Sequence, residues 1–512
     1  MAGIFAGSVV LRVLARIEGF WHETVRSSHL AAAAKNCALA RLVRAWLDAP
    51  CRMDGTLSYA AGMRRWTWLD GAVSGSILAR IWGGLCRLAA NSRIFAYLFA
   101  GGVTGLLLTV LGLYAGVDWL LRDVFAVPVL SSLWDELLMV FCAAWLLREK
   151  ARTPSAPRAT VLGYFVLFFL AVGVFLVGMV SPFLSVAIAG YRAQCQYLLW
   201  FFLVIRLIRD DRDAKRLYGT FLALAIVIAL YGVYQYIIAV PIPSNWTDQA
   251  EQSVRTRVFS IFSSPNIMAD YMVLFAPMCA ALAYHAKNMP QKLLAWCAAG
   301  ILCVACLFTM SRGGWMAMAV AIVVFALLVD RRLLALLLVA GVCSLSLPFV
   351  ASRIGYLFTD DFIESTTRAG RSARWAIGLE YLKNSSPLFG YGLGMFGGAV
   401  AMQNRVYEHV YYFYLDNYYI KTLVEMGCVG LTSFILMLVS LLATGLRSLR
   451  RCAKQTANSV YAPAAGIFAG LCGVLTHCYF ENIFEEPYMM AVFWTLAALM
   501  TYLGTFRKET SI

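Results

Sequence analysis

The chain has 512 residues, of which 61% are hydrophobic and only 14% charged, and its formal net charge is +15. The apolar residues fall in continuous runs of about twenty, the length of helix that crosses about 30 Å of hydrocarbon, without the in-out alternation that barrel strands need. Those runs define an all-α polytopic membrane protein. Because the basic residues are scattered over short interhelical loops and an N-terminal tail, they read as a retained cytoplasmic face, and no nucleic-acid partner is expected.

In chain order, residues 1–93 come first, with short basic amphipathic pieces such as "ALARLVRAWL", where Leu39, Leu42, Val43 and Trp46 share a face flanked by Arg41 and Arg44. They read as a cytoplasmic region of interfacial helices on an anionic leaflet. Arg12 and Arg16 interrupt the first apolar stretch and no small-residue cleavage site follows, so no cleavable signal peptide is expected.

About twelve transmembrane helices follow, at 94–116, 127–147, 160–181, 193–208, 217–240, 258–284, 292–309, 314–330, 333–350, 417–446, 461–480 and 488–506. Nine lie within 94–350 and three within 417–506, and the segment 351–416 between them is the one sizeable loop. Every second loop is basic: Arg148, Lys150, Arg152 and Arg158; Arg209, Arg212, Lys215 and Arg216; Arg331 and Arg332; Arg447, Arg450, Arg451 and Lys454. The positive-inside rule therefore puts both termini in the cytoplasm and the large loop outside. The fourteen cysteines sit mostly in apolar runs or in cytosolic segments, so no disulfide framework is expected. Cys303 and Cys306 form a C-x-x-C inside a span, without the second ligand pair a metal site needs.

This topology places Arg192, Arg257, Arg312, Arg374 and Asp416 at the outer ends of spans or in the outer loop, against the charge bias. One such arginine is ordinarily a snorkelling side chain. Several together suit an anionic ligand, and a lipid-linked diphosphate fits best, because a guanidinium grips phosphate oxygens bidentately and keeps its charge.

In "RVFSIFSSPN", Arg257 precedes a helix start at which Ser264 and Asn266 are expected to cap the helix, the alternative being to offer hydroxyl and amide groups to a sugar. In "TMSRGGW", Gly313 and Gly314 are expected to turn the backbone tightly and leave Arg312 at the tip. Gly392, Gly394 and Gly397 spell G-x-G-x-x-G without a preceding strand, which argues for a compact turn near the site and against a dinucleotide cofactor. Lys421 and Glu425 lie four apart on one helical face and are expected to neutralise each other. Asp416, at the threshold of its span, is either a plain helix cap or a carboxylate that takes a proton from an attacking hydroxyl.

These motifs, in the order "GYRAQCQYLLW", "RVFSIFSSPN", "SRGGW", "RWAIGLEYLKNSSPLFGYGLG" and "DNYYIKTLVEMGCVG", resemble the O-antigen ligase and polymerase superfamily of bacterial envelope glycosyltransferases over about residues 160–505. The family's last motif is His-Asn, nine residues, then Gly-x-x-Gly. Here Asn417, Gly427 and Gly430 match it, Asp416 replaces the histidine, and His409 stands seven residues upstream.

The resemblance implies a GT-C-like membrane glycosyltransferase in the bacterial cytoplasmic membrane. It would move a glycan, with inversion, from an undecaprenyl-diphosphate carrier to the hydroxyl of an acceptor glycan or lipid at the outer face, without cofactor or metal. On that footing Asp416 is the catalytic base, Arg192, Arg257 and Arg312 hold the diphosphate, and Arg374 and Asn417 position substrate. The replaced histidine tilts the expectation toward polymerase over ligase. A transporter or flippase of the same lipid-linked sugars is the competing class, but no internal half-repeat accompanies the arginines. A non-catalytic scaffold would not need polar residues at corresponding depths.

Overall fold

The computed structural model describes residues 41, 101–153, 158–242, 256–359, 370–406, 412–455 and 460–507. The amphipathic N-terminal region, apart from Arg41, and His409 lie outside the described residues. Among the latter, regular structure is helical, with one isolated bridge between Ser386 and Gly390. An all-α solution is what a bilayer demands, since each backbone polar group must find its partner inside the segment.

The helices are α1 (Gly102–Gly112), α2 (Tyr114–Trp119), α3 (Pro128–Arg152), α4 (Val161–Met179), α5 (Leu184–Cys195), α6 (Leu199–Leu207) and α7 (Asp211–Ile237). They continue with α8 (Pro265–His285), α9 (Met289–Phe308), α10 (Arg312–Leu328), α11 (Arg332–Leu345) and α12 (Pro348–Gly355). The remainder are α13 (Arg371–Asn384), α14 (Ala399–Asn404), α15 (Tyr418–Lys454), α16 (Tyr461–His477) and α17 (Pro487–Thr501).

Among the described residues, seven helices are long and apolar enough to cross a membrane, or eight if α1 and α2 with its π-helical extension to Val124, bent by 72°, form one. α10, α11 and α16 are apolar but shorter. The expected span 193–208 is broken: α5 ends at Cys195, a 3-10 turn covers Gln196–Leu198, and α6 begins at Leu199. Before α8, the expected start at 258 gives way to an irregular stretch, because Pro265 takes the first helical turn and Ser264 caps it through Asn266 N–H at 3.2 Å.

α8 and α17 form the centre of the bundle; their most apolar windows are 89% and 94% buried. α8 packs against α9, α10 and α16, and α17 against α6, α15 and α16. Gly466 and Gly470, four apart on α16, let that helix approach α8 closely: a β-carbon at Gly466 would stand 2.8 Å from the Pro277 carbonyl oxygen. At the basic end, Arg507 pairs with Asp211 at 2.8 Å, tying the two segments together. The starts of α8, α10, α15 and α17 and the end of α16 meet at the opposite end, where the polar residues collect.

Candidate active site

α15 is interrupted at Gly427, whose φ of 66° and ψ of −169° leave the helical region. The freed carbonyls of Val424 and Glu425 accept hydrogen bonds from the amides of Tyr391 (2.8 Å) and Gly392 (3.0 Å). In return the amides of Cys428 and Val429 donate to the carbonyls of Pro387 (2.9 Å) and Leu388 (3.1 Å). The glycine-rich loop is thus laid against a broken helix, and Gly392 at φ 114° supplies conformational freedom that an L side chain lacks.

A buried ionic network fixes this loop from behind. Lys421 Nζ lies 2.6 Å from Glu425 and 3.1 Å from Glu485, the three side chains being 3%, 1% and 7% exposed. Gln194 donates to Glu425, Phe396 N–H donates to the same carboxylate at 3.1 Å, and Ala399 N–H donates to Glu485 at 3.3 Å. The Lys421–Glu425 neighbour relation follows from the four-residue spacing; Glu485 is a third member that the spacing did not announce.

Asp416 sits on the strap that leads into α15. Arg374 Nη2 pairs with its Oδ2 at 2.9 Å and Arg371 Nε lies 3.8 Å away, both from α13. The strap itself is held by Arg374 Nη1 donating to the Tyr414 carbonyl (2.6 Å), Trp375 Nε1 to the Leu415 carbonyl (2.9 Å) and Leu415 N–H to the Gly397 carbonyl (3.1 Å). Asp416 adopts φ 53°, a left-handed conformation uncommon outside glycine that persists only where surroundings enforce it. Asn417, expected to position substrate, is the helix cap, its side-chain oxygen accepting from Ile420 N–H at 3.0 Å. That role frees Asp416 from capping.

Three further elements bring charge to the same place. Arg257 is buried, with Nε donating to the Thr309 carbonyl (3.1 Å) and Nη2 to Asn266 Oδ1 (3.2 Å). Asn266 in turn donates to Glu481, between α16 and α17, so Asn266 is a bridge and not a cap. Arg312 is half-buried at the start of α10, its guanidinium over the Tyr356 ring at 5.5 Å.

Met310 at φ 55°, together with the Ser311 cap, makes the turn before Arg312. Gly313 and Gly314 lie inside α10 instead of forming that turn, and a β-carbon on either would run into His477 or Ala269. They are therefore close-packing positions. His477, beside Gly313, faces Asp270 through Nδ1 at 2.7 Å.

The electrostatics tie these groups together. Burial pushes Asp416 above the usual carboxylate range even though Arg374 and Arg371 pull it back. Burial also raises Glu481, and repulsion from Asp416 adds to it. Arg257 is pushed down to about 10, first by burial and then by Arg312 and Arg371, with Glu481 opposing. Among the described residues, four guanidinium groups thus face two carboxylates across one cluster. An anion carrying phosphate oxygens would relieve the repulsion among the arginines, and a carboxylate of raised pKa is suited to proton transfer near neutral pH.

Arg192 does not join this cluster. Its guanidinium pairs with Glu136 and donates to the Ser132 carbonyl at 2.8 Å, both on α3, so it braces α3 against α5. Arg371, Glu481, His477 and Asp270 were not singled out in the sequence. The signal for Glu481 was available: "YFENIFEEPY" places three carboxylates between two apolar runs, on the same side as the anomalous arginines.

Fold and site together define a multi-pass α-helical membrane protein with a cationic, carboxylate-bearing cluster at one end of its helix bundle. Residues 297–435 match the family model described as O-antigen ligase, which supports placing the chain in the O-antigen ligase and polymerase superfamily. The matched stretch carries Arg312, Arg371, Arg374, Asp416 and the kink at Gly427, whereas Arg257 and Glu481 lie outside it. Comparison with curated proteins gave no match.

Proposed function

We propose that the protein transfers or polymerises glycan from an undecaprenyl-diphosphate-linked donor onto an acceptor hydroxyl at the outer face of the bacterial cytoplasmic membrane, with polymerase favoured over ligase. The observation that carries the reading is the meeting of Arg257, Arg312, Arg371 and Arg374 with Asp416 and Glu481 at one end of the bundle.

In this mechanism Arg257 and Arg312 bind the diphosphate and stabilise the negative charge that grows on it as the glycosidic bond breaks, where fixed donors in a dry site act most strongly. Asp416 accepts the acceptor's hydroxyl proton as the oxygen attacks the anomeric carbon from the face opposite the leaving group, which inverts the centre. Arg374 and Arg371 hold the Asp416 carboxylate in place. Glu481 holds Asn266 and, through it, the Arg257 guanidinium. No step requires a metal or nucleotide sugar. Both termini are assigned to the cytoplasm on the loop charges.

Reconstitution with a lipid-linked repeat unit alone tests the reading. Chain growth without added acceptor establishes a polymerase, transfer only after a distinct acceptor is supplied establishes a ligase, and no release of lipid diphosphate under either condition refutes glycosyl transfer.

A further inference from the structure

A cavity of about 410 Å³ opens beside the charged cluster and is separated from it by one stretch of chain. The segment from Thr256 to Ser264 has two sides: Arg257 turns toward Thr309 and Asn266, while Phe259–Ser263 line the cavity. The pair Glu485 and Glu486 divides in the same way, since Glu485 pairs with Lys421 and Glu486 faces the cavity.

The cavity's size falls within the about 300–1,000 Å³ typical of small-molecule sites. Its wall combines flat aromatic faces with polar groups of both kinds. Trp119 is half-buried and makes no aromatic contact among the described residues, and Tyr231 lies exposed on α7. Asp123 and Glu486 offer acceptors and Arg122 offers donors. Tyr488 is 7% exposed, and its hydroxyl stands beside Glu486 and Ser263 on the cavity wall.

We propose that this cavity is a saccharide-binding subsite, holding a sugar ring of the glycan at a position away from the reacting bond. A pyranose presents C–H faces to the aromatic rings and a rim of hydroxyls that both donate and accept, which matches this wall. An acyl chain would strip water from Arg122, Asp123 and Glu486 and return no hydrogen bond to them. That the sugar belongs to the transferred glycan rests on the glycosyl-transfer reading above. The subsite lets the enzyme hold the chain by a second sugar while Asp416 and the arginines work on the bond.

The test uses the purified full chain in nanodiscs and oligosaccharide fragments released by mild acid from the source cell's envelope polysaccharide, free of lipid and phosphate. Isothermal titration is expected to show saturable binding that Trp119→Ala and Glu486→Gln each weaken about tenfold, the loss of one good contact. Trp119→Phe should retain it, and Asp416→Asn should leave it unchanged. Absence of saturable binding, or an affinity in Trp119→Ala and Glu486→Gln equal to that of the unaltered protein, overturns the subsite whether or not transfer occurs. Trp119-dependent binding by a protein that transfers no glycan keeps the subsite and removes the glycosyl-transfer reading instead.

Discussion

Two ionic networks stand at the same end of the bundle, only a few residues apart on the strap and first turns of α15, and they differ in how their charge is met. Around Lys421, one ammonium answers to Glu425 and Glu485, and backbone amides of Phe396 and Ala399 satisfy the remaining oxygens. Around Asp416, four guanidinium groups among the described residues face two carboxylates, and Asp416 holds a left-handed backbone. A network that closes on itself stabilises the fold, because removing one member strands a buried charge. A network that gathers four cations at one end of the bundle suits an anionic ligand.

The largest effect expected from this contrast is on folding. Lys421→Met leaves two buried carboxylates unpaired and should cost about 3–5 kcal/mol, seen as loss of folded protein in detergent and a lower unfolding temperature. Normal stability in that variant would move the Lys421 network to the functional side of the comparison.

Next in size, Asp416→Asn should lower transfer by about 10²–10⁴-fold, the range for a lost general base, with little change in unfolding temperature. Arg257→Ala and Arg312→Ala should each lower it by about 10²–10³-fold, as for lost stabilisation of a developing anion. A drop in folded protein that parallels the drop in transfer would make these positions structural.

A smaller and sharper effect concerns pH. Asp416 must be ionised to accept a proton, and its pKa lies above the ordinary carboxylate value. Activity should therefore fall as pH drops through that raised value, placing the acid limb of the rate profile well above about pH 4. Glu481→Gln removes a neighbouring negative charge and should move the limb to lower pH. Folding carries the opposite sense: a carboxyl raised in the folded state favours the folded form most below its unfolded pKa and loses that contribution as pH rises through the folded one. The smallest effect is expected for Arg192→Ala, which breaks the brace to Glu136 and should alter transfer less than about threefold, within the range of a part-exposed ion pair. A loss equal to that of Arg257→Ala would return Arg192 to the diphosphate.

Much of this contrast was legible in the sequence, for different reasons in different places. The spans read from apolar run length, except where that length hides a break: Cys195–Leu199 and Gly427 interrupt runs that length alone makes continuous. The Lys421–Glu425 pair follows from helical spacing alone, and the interest of Arg257, Arg312, Arg374 and Asp416 from their side of the membrane. Arg371 was missed because its role depends on which helix ends meet, a tertiary fact that loop charge does not encode, whereas the carboxylates of "YFENIFEEPY" did point to the end of the bundle where Glu481 acts. Arg192 shows the converse, for its position in the chain matched the other arginines while its partner, Glu136, was fixed by the packing of α3 against α5.

The most direct test of the central claim is a single-turnover experiment on Asp416→Asn that follows donor binding and glycan transfer in the same sample. Donor affinity close to that of the unaltered protein, with transfer slowed by about 10²–10⁴-fold, is the expected result. Unchanged transfer, or affinity and transfer falling together, would contradict the assignment of Asp416 as the proton acceptor within an arginine-held anion site.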